Sequence, residues 1–167
     1  MLFRSLGLEK LQDAGTTYLA VSGLSRPRSD HEKRAVDAAL AMQEGMHRFN
    51  ATHNTQLSLD IGLHCGPLTT GVVRGKRLSF DIWGQTINIA RALHESSYHN
   101  GVRVSAPIVE ALRGLFRFKS LPPIPLKDQG EMAVWEVEGA ASGAGRLAHH
   151  AGQAPGGEAT GSPPGGS

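Results

Sequence analysis

Short stretches of alternating or clustered apolar residues, interleaved with three stretches of helical periodicity, predict an α+β fold with helices packed on a mostly antiparallel sheet. Three observations carry this. Residues 57–63 alternate Leu57, Leu59, Ile61 and Leu63 with Ser58, Asp60 and Gly62, the period of a half-buried strand. Residues 31–50 repeat Ala35, Val36, Ala39, Leu40, Met42, Met46 and Phe49 at helical spacing. Glycine and proline are concentrated after residue 138, so the folded part ends near there.

The elements follow in order. Residues 8–14 and 16–23 read as a strand pair turning at Gly15. After a loop with Pro27 the long helix begins, with a Ser29/Glu32 capping box and Asp30 as a competing cap. The strand at 57–63 ends at Cys65-Gly66-Pro67. Strands at 72–73 and 78–82 are joined through 74–77. Residues 86–95 make a short helix and 102–104 a strand. Ser105 caps a helix with Pro107 in its first turn, running to about Arg113. Residues 116–118 and 134–137 are the last strands.

Composition narrows the function. The chain has 167 residues, and Lys+Arg 17 against Asp+Glu 15 leaves a net charge of +2. That balance excludes a basic tract that grips nucleic acid or an anionic membrane. No apolar run approaches the ~20 residues of a membrane helix, and no signal-peptide core is evident. The single cysteine, Cys65, excludes an internal disulfide and fits a reducing compartment, so a cytoplasmic location is expected. Cys65 reads as a small buried hydrophobe rather than a nucleophile, and the histidines show no metal-ligand spacing. Residues 139–167 are small residues, Gly and Pro with no aromatic, and cannot bury enough apolar surface to offset the entropy of ordering. They are expected to form a disordered tail, and the pair His149-His150 within it carries no site. Two parts are therefore expected, residues 1–138 and 139–167.

Four segments carry a more specific pattern. They are LEKLQDAGTTYLAVSGL at 8–24, DIGLHCGPLTTGVV at 60–73, SFDIWGQTINIA at 79–90 and LKDQGEMAVWEV at 126–137. In order and spacing they resemble the catalytic domain of class III adenylate and guanylate cyclases. The resemblance covers nearly all of residues 8–138. It implies a ferredoxin-like cyclase fold, here lacking the family's first strand and the two helices after it. In that fold the first strand lies inside the sheet, so its two neighbours would lose main-chain partners. It also implies dimers with interfacial sites that convert ATP or GTP to a 3′,5′-cyclic nucleotide and pyrophosphate, using Mg²⁺ or Mn²⁺.

The resemblance assigns residues one by one. Asp81 matches the aspartate that reads adenine, since a carboxylate can accept from the exocyclic amine. The alternative for Asp81 is a solvated carboxylate at a hairpin end. Gln12 stands at the second purine position, where the family has Lys for ATP and Glu for GTP. Asn88 matches the ribose-orienting asparagine; its alternative is a capping or turn role. The family's phosphate arginine falls at Ala92, with Arg91 one residue short and placed to reach across or to serve as a surface arginine. Lys127 matches the first lysine of the phosphate hairpin or is a solvated strand-end lysine, and Gln129 replaces the second. One metal aspartate belongs to the absent strand and the other falls at Thr16. Asp13, three residues earlier, would point to the opposite strand face. No metal site of the family's kind is therefore expected within the chain. Three readings stay open: an adenylate cyclase domain with ATP as substrate, working as a homodimer or heterodimer, a cyclase-homology module without turnover, and a non-functional fragment that folds poorly. In the second case Thr16 resembles the half of a heterodimer whose partner supplies both metal aspartates.

Overall fold

The computed structural model describes residues 7–74, 78–127 and 129–141, with side chains for all of these except 12–14, 70, 72–74 and 78–83. The predicted tail from residue 142 onward, His149-His150 included, and the 75–77 connection lie outside the described residues. Eight strands and three helices follow one another as β1 (Leu8–Ala14), β2 (Thr17–Ser22), α1 (His31–His53), β3 (Ile61–Leu63), β4 (Thr69–Arg74), β5 (Leu78–Trp83), α2 (Gln85–Ser96), β6 (Val102–Val104), α3 (Ala106–Ala111), β7 (Phe116–Leu126) and β8 (Gly130–Ala140). The α+β class holds.

The described strands form three sheets. β1 pairs with β2 and β4 with β5, each antiparallel, and a four-stranded sheet runs β3-β6-β8-β7. Within that sheet β3 and β6 are parallel and the other two pairs antiparallel. Among the described residues, β2 pairs along one edge only, with β1, and β3 along one edge only, with β6. Unpaired strand edges of this kind offer main-chain groups to another chain.

Several local expectations change. The alternating stretch 57–63 forms a ladder only at Ile61–Leu63. Its first half is held by side chains instead: Asn50 Oδ1 accepts from the Leu57 amide at 3.0 Å, Asn50 Nδ2 donates to the Leu57 carbonyl at 2.8 Å, and Asn100 Oδ1 accepts from the Leu59 amide at 2.6 Å. With β6 only three residues long, no strand is available to pair further. Helix α1 runs three residues past Asn50 and stops at Asn54, which adopts the left-handed conformation with φ 50°. Its capping box does not form. Asp30 holds the N-cap position and its carboxylate accepts from Arg34 Nε at 2.7 Å, while Glu32 turns toward His31 and Cys65. Helix α3 ends at Ala111, and Ser105 Oγ bonds His64 rather than capping.

The last two strands are much longer than the short apolar cores at 116–118 and 134–137. β7 accommodates Pro122, Pro123 and Pro125 because it is an edge strand, and the register slips between Leu121 and Ile124 where the amide donors are missing. β8 continues to Ala140, opposite Phe116, so Gly139 and Ala140 belong to the folded part rather than to the tail.

The main core joins Val36 and Ala39 of α1, Val102 and Val104 of β6, Ile108 of α3, and Leu112, Phe116 and Val137. A second cluster sets Leu93 of α2 against Ile124 and Val134. Gly45 sits exposed in the interior of α1, and a methyl group there would meet no atom within 4 Å. Gly45→Ala should therefore stabilise the fold by about 1 kcal/mol through helix propensity alone, read as a rise in the urea midpoint at unchanged slope.

Candidate functional site

The segment from β4 to α2 is continuous in space. β4 and β5 form a hairpin in which Asp81 pairs with Gly71 and Phe80 with Val72. Asp81 is thus in the middle of β5 rather than at a hairpin end; its side chain lies outside the described residues. One residue after β5, Gly84 turns the chain with φ 147°, a conformation that L side chains rarely adopt, and α2 begins at Gln85. Asn88 is the fourth residue of α2 and exposed, so neither a cap nor a turn explains it.

Two contacts fix the start of α2. Thr86 Oγ1 donates to the Pro67 carbonyl at 2.6 Å, which ties down the loop after β3. Gln85 Nε2 donates to Gln129 Oε1, which brings the β7–β8 turn to the same place. Lys127 is exposed in that turn, two residues from Gln129. Asp81, Asn88 and Lys127 therefore belong to elements that meet at the N-terminal end of α2.

The other assigned residues stand differently. Gln12 faces Leu19 across the β1–β2 ladder, beside a register shift at Lys10/Gln12; its side chain lies outside the described residues. Arg91 is exposed on α2, one turn after Asn88. Ala92 packs against the second core cluster, so the position that the resemblance gives to the phosphate arginine is filled by a small core residue. Thr16 is exposed in the tight turn between β1 and β2, after Gly15 with φ 63°. Because that turn separates Thr16 from Asp13, strand parity does not relate the two. Thr16 offers a neutral hydroxyl where a hard cation wants a carboxylate. The residues present do not fit the family's pair of divalent ions.

A groove of about 470 Å³ lies elsewhere, lined by Ala92, Glu95, Tyr98, Arg103, Pro122 and Pro125 among others. None of the candidate residues lines it.

Behind the α2 end, His64 Nδ1 lies 2.6 Å from Ser105 Oγ, and burial holds the imidazole below its usual pKa. The next residue, Cys65, is half-buried rather than a buried hydrophobe, and it packs on the edge of the main cluster. It also meets His31 and Glu32: ligand atoms of the three all lie within 4.8 Å of one another. Linear spacing hid this group, because Cys65 is 33 and 34 residues from its partners. Burial and the Glu32 carboxylate push the Cys65 thiol up to about 11.

A β-hairpin feeding a helix through a left-handed glycine, beside a sheet that ends in a long hairpin, is the architecture of an α+β nucleotide cyclase domain. Residues 1–139 match the family model of the adenylate and guanylate cyclase catalytic domain, and the chain belongs to that family. An adenylate cyclase of Mycobacterium tuberculosis (strain ATCC 25618 / H37Rv) is 32% identical over 133 residues, 80% of this chain and 30% of the relative. A membrane guanylyl cyclase of Dictyostelium discoideum is 30% identical over 126 residues, 75% of this chain and 8% of the relative. The chain thus spans about 30% of the length of the mycobacterial relatives. Among solved structures, the guanylate cyclase domain of RhGC from Catenaria anguillulae, in complex with GTP, superposes with TM-score 0.77 at 26% identity. That match covers 84% of this chain and 77% of the other. The adenylyl cyclase CyaB from P. aeruginosa shares the fold with TM-score 0.72 at 17% identity, covering 81% of this chain and 74% of that one. Among the described residues, no helix is long and apolar enough to cross a membrane.

Proposed function

We propose that this chain is an adenylate-type cyclase domain that reads ATP and completes its site with a second protomer. The reaction is conversion of ATP to 3′,5′-cyclic AMP and pyrophosphate. The observation that carries the reading is the meeting of β5, the start of α2 and the β7–β8 turn through the Gln85–Gln129 hydrogen bond. It supports the reading because the segments that carry Asp81, Asn88 and Lys127 come to one end of the domain. Relatives of both nucleotide types match the chain, so they do not decide the base. Asp81 favours adenine, whose exocyclic amine donates where guanine presents an acceptor.

Each residue has a defined task. The Asp81 carboxylate accepts from the adenine amine. Asn88 holds the ribose so that its 3′ hydroxyl lies in line with the α-phosphorus. The 3′ oxygen bonds to that phosphorus, its proton passes to solvent water, and the bond from the α-phosphorus to the α,β-bridging oxygen breaks to release pyrophosphate. Lys127 balances charge on the phosphates, and Arg91 is the remaining cation on α2 near the ribose residue. Family chemistry relies on divalent ions for the nucleophile and the leaving group. Thr16 supplies no carboxylate at one of the two metal positions, so in this reading that ligand comes from the partner.

The test is mixing. The partner is a cyclase protomer that keeps both metal aspartates but lacks its own purine and ribose residues. The purified chain with ATP and Mn²⁺ alone is expected to form no cyclic AMP. Mixed with that partner it should form cyclic AMP in large excess over cyclic GMP. Robust turnover by the chain alone, or no gain on mixing, would sink this reading. The second reading, a nucleotide- or partner-binding module, draws on Thr16, Ala92 and Gln129 at catalytic positions. ATP binding with no gain on mixing would establish it instead.

A further inference from the structure

We propose that His31, Glu32 and Cys65 form a three-ligand site for a zinc-class divalent cation, with a fourth position open to water. This site is separate from the hard-ion chemistry of nucleotide cyclisation and does not depend on it.

The geometry is the main argument. His31 Nε2 lies 3.4 Å from Cys65 Sγ, Cys65 Sγ lies 3.4 Å from Glu32 Oε1, and His31 Nε2 lies 3.0 Å from Glu32 Oε1. Zinc binds sulfur at about 2.3 Å and nitrogen or oxygen at about 2.0–2.2 Å in a tetrahedron. Those lengths set tetrahedral edges of about 3.5 Å for sulfur to nitrogen or oxygen and about 3.3 Å for nitrogen to oxygen. The triangle in the protein already has those edges to within a few tenths of an ångström. Small side-chain rotations would seat one ion above it.

The ring orientation fits as well. His31 Nδ1 lies 2.6 Å from the Arg28 carbonyl oxygen. A carbonyl can only accept, so Nδ1 donates to it, which turns Nε2 toward Cys65 and Glu32. A backbone acceptor behind the ring is how ligating histidines are commonly oriented. The site is reachable: the His31 side chain is 37% exposed and that of Glu32 16%. Its donors select the metal, because imidazole, thiolate and one carboxylate suit zinc, whereas Mg²⁺ and Mn²⁺ prefer oxygen ligands alone.

The fold explains why these donors converge. His31 and Glu32 open α1, and Cys65 opens the loop that leaves β3. Two residues on, Pro67 accepts the Thr86 hydrogen bond at the start of α2. A bound ion would therefore link the N-terminal ends of α1 and α2. Without a cation the thiol keeps its proton next to Glu32; on binding, that proton passes to solvent and the thiolate becomes the ligand.

Cobalt titration of the full chain under a non-chelating reductant tests this. One equivalent of Co²⁺ should produce a thiolate-to-cobalt charge-transfer band, which one equivalent of Zn²⁺ removes and millimolar Mg²⁺ does not. Cys65 is the single cysteine, so the band reports on this site alone. Cys65→Ser should abolish the band, and His31→Ala should raise the Co²⁺ concentration needed by at least tenfold, both with unchanged far-ultraviolet circular dichroism. Zn²⁺ should also slow alkylation of Cys65 in the wild type, a readout that needs no variant to fold. No band from folded wild-type protein, or equal Zn²⁺ affinity in the wild type, His31→Ala and Cys65→Ser, would overturn the proposal. The latter result would assign binding to other histidines.

Discussion

Gly62→Ala is expected to cost about 3 kcal/mol or more of folding stability, a large part of what a domain of this size has. Gly62 is the middle residue of β3, and α2 lies directly on it. A Cβ there would sit well inside van der Waals contact of the Ala90 carbonyl oxygen and the His94 amide nitrogen, and 2.9 Å from Leu93 Cβ. Two of those three atoms are backbone inside a helix, so no side-chain rotation relieves the clash. Either β3 or α2 must move, and both are pinned. His94 Nδ1 is 3.0 Å from the Asp60 carbonyl, and Leu93 is fully buried against Ile124 and Val134. Urea unfolding of wild type and variant measures the cost directly. A loss below about 1 kcal/mol would mean that α2 does not rest on β3 as described, since forced overpacking ordinarily costs about 1–3 kcal/mol. Gly45→Ala is the matched control, the same chemical change with the opposite sign.

The second large effect concerns chemistry rather than folding. In the mixed protein pair, Asn88→Ala should lower kcat by roughly 10²-fold, the ordinary cost of a misplaced reacting group. ATP affinity should change little, because the proposed adenine contact at Asp81 is left in place. The domain should stay folded: Asn88 is exposed on α2, and surface substitutions usually shift stability by no more than about 0.5 kcal/mol. An Asn88→Ala pair with unchanged kcat would remove Asn88 from the site. A rise in KM at constant kcat would make it a binding residue that does not position the ribose for attack.

Much of this was legible along the chain because it is local. The strand pair around Gly15, the long apolar face of α1, and the order of the cyclase-like segments all depend on neighbouring residues. So does the route from Asp81 to Asn88, which is one strand, one glycine and one helical turn. Other features needed the third dimension. The alternation at 57–63 promised a long strand, yet a strand needs a partner, and Asn50 and Asn100 claim the Leu57 and Leu59 groups instead. The apolar core at 116–118 marked only the start of β7, which runs on through Pro122, Pro123 and Pro125 because an edge position tolerates missing donors on its open side. Glu32 looked like half of a capping box until Cys65 offered it another partner.

By itself the sequence determined the fold class, the family and the residue types at the positions the resemblance assigns, Thr16 and Ala92 included, because these are properties of order and local period. Only the tertiary structure decided which of those residues share one end of the domain, and that His31 and Glu32 meet Cys65. The physical reason is that ligand geometry and packing depend on distances across the fold. Residues 33 positions apart reach 3.4 Å only after α1 and β3 have been brought together by the core between them.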